Sequence, residues 1–165
     1  GPLRRLVHAE FRRLFRHRLT KGLTMLDDIR KFKERGDFAA INGLIPYAGL
    51  VGLEAVIEDD TITTVLRKRD ENIGNYVIGA IHGGVVAALL EHAAILHLLY
   101  TLDVSALPRI INLSVDYLRP SLNRDTFARC SLVKQGRRIA NVRIQAWQDD
   151  PDRPCAAAHA HFLIN

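Results

Sequence analysis

Apolar positions recur at helical spacing from the start of the chain: Leu3, Val7, Phe11, Leu14, Phe15 and Leu19 fall on one side of a helix. Thr24-Met25-Leu26-Asp27 then has the form of a capping box with Asp in place of the usual Glu. It predicts a short helix that ends near Gly36. The next stretch, DFAAINGLIPYAGLVG over 37–52, is apolar but broken by Gly and Pro, and reads as a short helix and a loop. Two strands are predicted at about 52–58 and 61–69, with a turn at Asp59-Asp60. After a loop over 71–82, IGAIHGGVVAALLEHAAILHLL opens a long apolar helix from Gly83 to Thr101. Four strands follow. INLSVDYL alternates, with Ile111, Leu113, Val115 and Tyr117 on one face. DTFARCSLVK and RIANVRIQAW are joined by a turn at Gln135-Gly136. In PCAAAHAHFLI, residues Ala156, Ala158, Ala160, Phe162 and Ile164 share a face.

Two strands, one long helix and four strands predict an α+β domain with one antiparallel sheet. The helix sharpens this. On a wheel, Glu91, His92, His97 and Tyr100 lie near 0°, 100°, 240° and 180°, roughly, so no polar face forms. A helix apolar nearly all round must be covered on most sides. A curved sheet would cover one side and a second subunit the rest. The division expected is a basic helical extension over 1–36 and one domain over 37–165. At 165 residues the chain is long enough for a single sizeable core.

Charge changes the picture at one place only. Residues 1–24 hold seven Lys/Arg and one acid, a net +6, whereas the remaining 16 basic and 17 acidic residues net −1. The body is not a polyanion binder, and nucleic acid is not an expected partner; any such role would rest on the N-terminus. That segment could be a basic interaction helix or a presequence-like element, Arg-rich and acid-poor. The favoured reading is a solvated or tag-derived extension, since Gly1-Pro2 resembles a cleavage scar and Met25 is the only methionine. The uninterrupted apolar runs, about Gly83–Leu90 and Ala93–Leu96, are too short to span a bilayer, and no membrane span is expected. Cys130 and Cys155 have no metal-ligand spacing; a reducing, cytoplasmic setting is expected. His159 and His161 share a strand face without an evident third ligand, so no metal is expected.

The candidate chemistry lies at the start of the long helix. Unpaired backbone amides and the positive end of the helix dipole suit a polarised carbonyl oxygen, and Gly83 and Gly84 let that oxygen approach. Glu91, set among apolar residues, should have a raised pKa useful to a general base. Gly83 and Glu91 are about 12 Å apart along one helix, too far to act on one carbon. If they act together, two chains must supply them, with antiparallel helices across a twofold axis making two shared sites.

These residues resemble the hotdog-fold acyl-CoA thioesterases, in the branch related to phenylacetate-pathway thioesterases. Gly79, His82, Gly83, Gly84 and Glu91 fit the family spacing, and INLSVDYLRP, VKQGRRIANVRIQAWQDD and AHAHFLI resemble its later strands; the likeness covers about 40–164. It implies a sheet of five to six strands wrapped around a central helix, in a homodimer or dimer of dimers. By position, Glu91 would activate water or attack the thioester, the Gly83 N–H would hold the carbonyl oxygen, and His82 would shape the turn. Asn75 is one residue farther from His82 than the family's Asn usually is, and Ile110 replaces a Ser or Thr of some relatives. Arg119, Arg137 and Arg138, with Gly84, are candidate contacts for the CoA portion of the substrate; no separate cofactor is expected. The alternatives are a non-catalytic acyl-thioester-binding module that uses its basic N-terminus, and a hydratase or dehydratase on the same fold.

Overall fold

The computed structural model of the chain describes residues 2–104 and 106–165, with side chains from residue 9 onward except that of Phe11. Leu3, Val7 and Phe11, on the apolar side predicted for the first helix, therefore have side chains outside the described residues. The elements are α1 (Pro2–Glu34), α2 (Phe38–Gly43), α3 (Pro46–Val51), β1 (Leu53–Glu58), β2 (Thr61–Leu66), β3 (Ile73–Asn75), β4 (Ala80–Ile81), α4 (Gly83–Thr101), β5 (Arg109–Tyr117), β6 (Thr126–Gln135), β7 (Ile139–Trp147) and β8 (Ala156–Leu163).

Six strands form one antiparallel sheet in the order β1-β2-β6-β7-β8-β5, curved around α4; β3 and β4 form a small separate pair. The inward rows of β7 and β8 are Ala140, Val142, Ile144 and Ala146, and Ala156, Ala158, Ala160 and Phe162, all fully buried. Five alanines among eight positions keep that floor shallow. Val86, Leu89, Leu90 and Leu98 of α4 pack into the same core. By length and composition α4 could also cross a membrane, but half of it is buried inside the domain, as in a core helix.

The β1–β2 hairpin turns at Asp59-Asp60, both with positive φ (48° and 56°), the two-residue turn that suits the twist of paired strands. On the outer face of the sheet, the only tryptophan, Trp147, stacks on Phe127 at 6.0 Å, and the Arg129 guanidinium lies 5.5 Å from its ring.

The loop predicted over 71–82 carries the β3–β4 pair, and three further sequence expectations change. The box at Thr24–Asp27 caps nothing: α1 runs through it, the Thr24 hydroxyl donates to the Thr20 carbonyl at 2.9 Å, and Asp27 pairs with Arg30 at 2.7 Å. A Thr inside a helix turns back on its own backbone when the preceding turn is already helical. The loop after Asp37 contains two short helices, α2 capped by the Asp37 carboxylate on the Ala40 N–H and α3 opened by Pro46. In β5, a bulge between Ile110 and Asn112 breaks the alternation, so Ile111 leaves the row and stays more than half exposed, while Leu113 and Val115 pack on the core and Tyr117 keeps their face at the exposed end of the strand.

The end of α1 belongs to the packed domain. Ile29 is fully buried in a second apolar cluster with Phe38, Ile41, Ile62, Leu96 and Leu99, and Met25 and Phe32 pack against it. The helix stops at Gly36, whose φ of +67° is a left-handed conformation that glycine adopts at no steric cost.

Candidate active site

The site is built from the turn into α4. The His82 N–H donates to the Asn72 carbonyl and the Ile81 N–H to the Ser121 carbonyl, both at 2.8 Å, so the turn is held from two sides. Asn72 is itself buried, with its amide nitrogen donating to the Val51 carbonyl at 2.7 Å. Gly74 passes so close that a Cβ there would lie 2.7 Å from the His82 Cα. His82 is the N-cap of α4.

A helix starts with amides that have no partner inside the helix. Here they are nearly all accounted for. The Gly84 N–H donates to His82 Nδ1 at 2.9 Å, and the Val85 and Val86 N–H groups reach the His82 carbonyl at 2.9 and 3.2 Å. Among the described residues only the Gly83 N–H is left without a partner. Because His82 Nδ1 accepts, a neutral ring carries its proton on Nε2. The Tyr117 hydroxyl donates to the Gly83 carbonyl at 2.7 Å, and a Cβ on Gly83 would come within 3.3 Å of that ring. Tyr117 therefore fixes the Gly83–Gly84 peptide, the one after the peptide that carries the free amide. The sequence carried no signal for this role, since the strand pattern marked Tyr117 only as one of an apolar row.

Glu91 lies two turns along α4, on the one stripe of the helix that the sheet does not cover. Gly84, Ala87, Ala88, Glu91 and Ile95 form that stripe, each half-buried or exposed. Among the described residues Glu91 has no ion pair or hydrogen bond, and burial raises its pKa above the ordinary carboxylate value. His92, its neighbour, faces inward. Its Nε2 meets Asn42 Oδ1 at 2.6 Å, and since Asn42 Nδ2 donates to the Leu53 carbonyl, His92 is the donor. Burial lowers its pKa to about 4, so it is a neutral packing residue. Burial lowers the His97 pKa as well, and raises that of the Cys130 thiol to about 12.

The remaining candidates are dispersed. Asn75 closes the β3–β4 turn, its Oδ1 accepting from the Val77 N–H at 3.0 Å, below an exposed tip of Tyr76, Val77 and Ile78. Arg119 lies at one end of β8, its N–H donating to the Cys155 carbonyl; Arg138 lies at the other, its carbonyl accepting from the Ile164 N–H. Nine residues of extended chain separate the two ends by about 30 Å, so Arg119 and the Arg137-Arg138 pair do not meet one ligand on one protomer. Arg119 instead shares a cleft of about 200 Å³ with Arg124 and Arg153, neither of which the sequence singled out; Arg124 is paired with Asp149 at 2.7 Å. His161 Nδ1 meets Asn112 Oδ1 at 2.9 Å.

A family model described as the acyl-CoA thioesterase N-terminal domain matches residues 74–163, which include the β3–β4 turn, all of α4 and the last four strands. A solved structure of a protein from Chromobacterium violaceum is 34% identical, covering 83% of this chain and 96% of its own, with a TM-score of 0.67. The chain belongs to the acyl-CoA thioesterase family. The phenylacetic acid degradation-related protein of Ralstonia eutropha is 25% identical, with 72% and 89% coverage and a TM-score of 0.63, and fits the branch that the sequence resembles. A Bacillus halodurans protein solved with CoA shares the fold at 20% identity, with 88% and 92% coverage and a TM-score of 0.65. None of the curated proteins matches the chain. The six-stranded sheet around α4 is the hotdog fold of this thioesterase superfamily.

Proposed function

We propose that this chain hydrolyses an acyl-CoA or a related acyl thioester to the free acid and thiol, as a homodimer with two composite sites. The observation that carries the reading is the pairing of two unsatisfied groups on one helix: the partnerless Gly83 N–H at its start and the unpaired, desolvated Glu91 on its uncovered stripe. The Gly83 N–H would hydrogen-bond the thioester carbonyl oxygen and bear the negative charge that grows there. Glu91 of the second protomer would take a proton from water as its oxygen adds to the carbonyl carbon. It would then return that proton to the sulfur as the C–S bond breaks. Direct attack by Glu91 would instead give a mixed anhydride that water opens. In single-turnover hydrolysis in ¹⁸O-water, label in the Glu91 carboxylate would identify an anhydride opened at the Glu91 carbonyl. The Nε2–H of His82 is free to orient the thioester, and Asn75 stands at the rim.

Two features support the dimer. β5 is an edge strand of nine residues bonded on one side only, to β8. Such an edge pairs readily with a second copy. The stripe of Gly84, Ala87 and Ala88 is flat enough for a partner helix to approach closely. An antiparallel α4 pair centred near Ala87 would set Gly83 of each chain beside Glu91 of the other. It would also bring Arg119 and the partner's Arg137-Arg138 hairpin to the same end of one continuous sheet, within reach of the CoA phosphates. A reducing compartment such as the cytoplasm suits the two free thiols, Cys130 and Cys155. The deciding experiment is thiol release from a panel of acyl-CoAs by the parent and Glu91→Gln side by side, with the oligomeric state measured by sedimentation. A strictly monomeric, fully active protein, or an undiminished Glu91→Gln, ends this reading.

A further inference from the structure

The N-terminal half of α1 leaves its apolar side largely exposed. Leu14, Phe15, Leu19 and Leu23 are each more than half exposed, Leu23 the most at 65%. Phe15, Leu19 and Leu26 lie within about 40° of one another on the helical wheel, and Leu23 about 40° beyond. The same face continues into an apolar groove of about 660 Å³, floored by Met25 and Ile29 and closed on the far side by Leu107. The cations are placed around this stripe. Between Glu10 and Asp27 there are five, Arg12, Arg13, Arg16, Arg18 and Lys21, and no acid. Arg16 flanks the stripe on one side and Arg18 on the other, and Arg12 stands at its N-terminal end, with guanidinium groups long enough to reach past the leucines. None of the five side chains has an acidic partner among the described residues.

The helix is also held rigidly. Ile29 is buried, Met25 and Phe32 pack beside it, and the Lys33 ammonium donates to the Leu102 and Val104 carbonyls past the end of α4. The exposed half is thus a preformed extension of an anchored helix, and an arriving surface need not order it.

We propose that the N-terminal half of α1 docks the protein on an anionic phospholipid surface. Phe15, Leu19 and Leu23 would enter the headgroup–acyl boundary, and Arg12, Arg16 and Arg18 would contact lipid phosphates. The charge fits: a +6 segment on a body of net −1 directs one end of the molecule to a negative surface. The exposed leucines select lipid over nucleic acid, because a phosphate backbone offers the cations partners but gives an apolar stripe nothing to enter. The cations also oppose self-association of two such helices. The proposal does not depend on hydrolysis, and a chain that binds vesicles without cleaving a thioester would sustain it.

The test is co-flotation of the full chain with vesicles of phosphatidylcholine alone or of phosphatidylcholine with phosphatidylserine, at low and high salt. The chain is expected to float with the mixed vesicles, at least about tenfold more tightly than with phosphatidylcholine alone, and to lose most of that binding in high salt. Arg12→Glu/Arg13→Glu/Arg16→Glu should abolish it. Leu19→Ser/Leu23→Ser should weaken it about tenfold while circular dichroism and sedimentation stay unchanged, both side chains being exposed. Failure to float with the mixed vesicles overturns the proposal. So does undiminished binding by the leucine variant, which would leave only diffuse charge attraction. Tighter binding to a DNA duplex than to vesicles at equal salt would assign the surface to nucleic acid. Loss of an oligomer in the leucine variant would assign it to a second copy.

Discussion

The two ends of α4 are made of similar residues and treated in opposite ways. At the C-terminal end the apolar side chains are covered. Leu96 and Leu99 are fully buried among residues of α1, α2 and β2, Phe38 meets Tyr100 edge-on at 5.2 Å, and Lys33 reaches the carbonyls just past the helix. A cation there also suits the negative end of the helix dipole. At the N-terminal end His82 satisfies three of the four first amides and leaves the fourth, on Gly83, facing outward. The side chains of one end are sealed in an apolar cluster, while the other end keeps an open donor. The contrast separates substitutions that should damage stability from those that should damage chemistry.

The largest effect expected is on the open side. Glu91→Gln should lower kcat/KM by about a thousandfold while the chain stays folded, as loss of a positioned base does; steady-state thiol release measures it. On the closed side, Leu99→Ala should cost about 3 kcal/mol in urea unfolding, with kcat unchanged under native conditions. Lys33→Met should cost roughly 2 kcal/mol by the same measurement, since it removes two charged hydrogen bonds and leaves two carbonyls without their donor. Tyr117→Phe joins the two sides. Loss of the hydroxyl bond to Gly83 should cost about 1 kcal/mol of stability, and kcat should fall severalfold as the peptide loosens. If kcat falls for Lys33→Met and holds for Tyr117→Phe, the contrast between the ends is wrong.

The smallest effect is the pH dependence that Glu91 brings. With Glu91 as the proposed base its carboxylate would be the active form, so the rate should rise with pH through a pKa above the ordinary carboxylate range. Stability should run the other way. A carboxyl whose pKa is raised by folding adds stability below its unfolded pKa, and this is lost as pH rises through the folded value. Glu91→Gln should therefore melt with the parent in acid and above it at neutral pH, read by calorimetry.

Much of this was legible in the sequence because the residues involved act locally. Asp59-Asp60 marked its hairpin, the alanine row of β8 marked an inward face, and the apolar run after His82-Gly83-Gly84 marked the core helix. The Glu91 pKa could be read from its apolar neighbours alone. What stayed hidden depends on distant chain. Tyr117 reaches Gly83 across 34 residues. Lys33 reaches Leu102 across 69. Thr24 looked like a helix start because its local grammar is that of a cap, and only the continuous helix on both sides assigns it otherwise. The Arg119 and Arg138 positions could not be compared until β8 was known to lie between them.

Trp147 gives the molecule a built-in optical label. As the sole indole it dominates the emission, and it lies on the convex side of the sheet, with the aligned backbones of β6 and β7 between it and the helix that carries Glu91. Its quantum yield, set by Phe127 and the Arg129 guanidinium, should collapse when the sheet melts and stay constant while ligand fills the cleft. Unfolding and occupancy can then be followed in one cuvette, without an added dye.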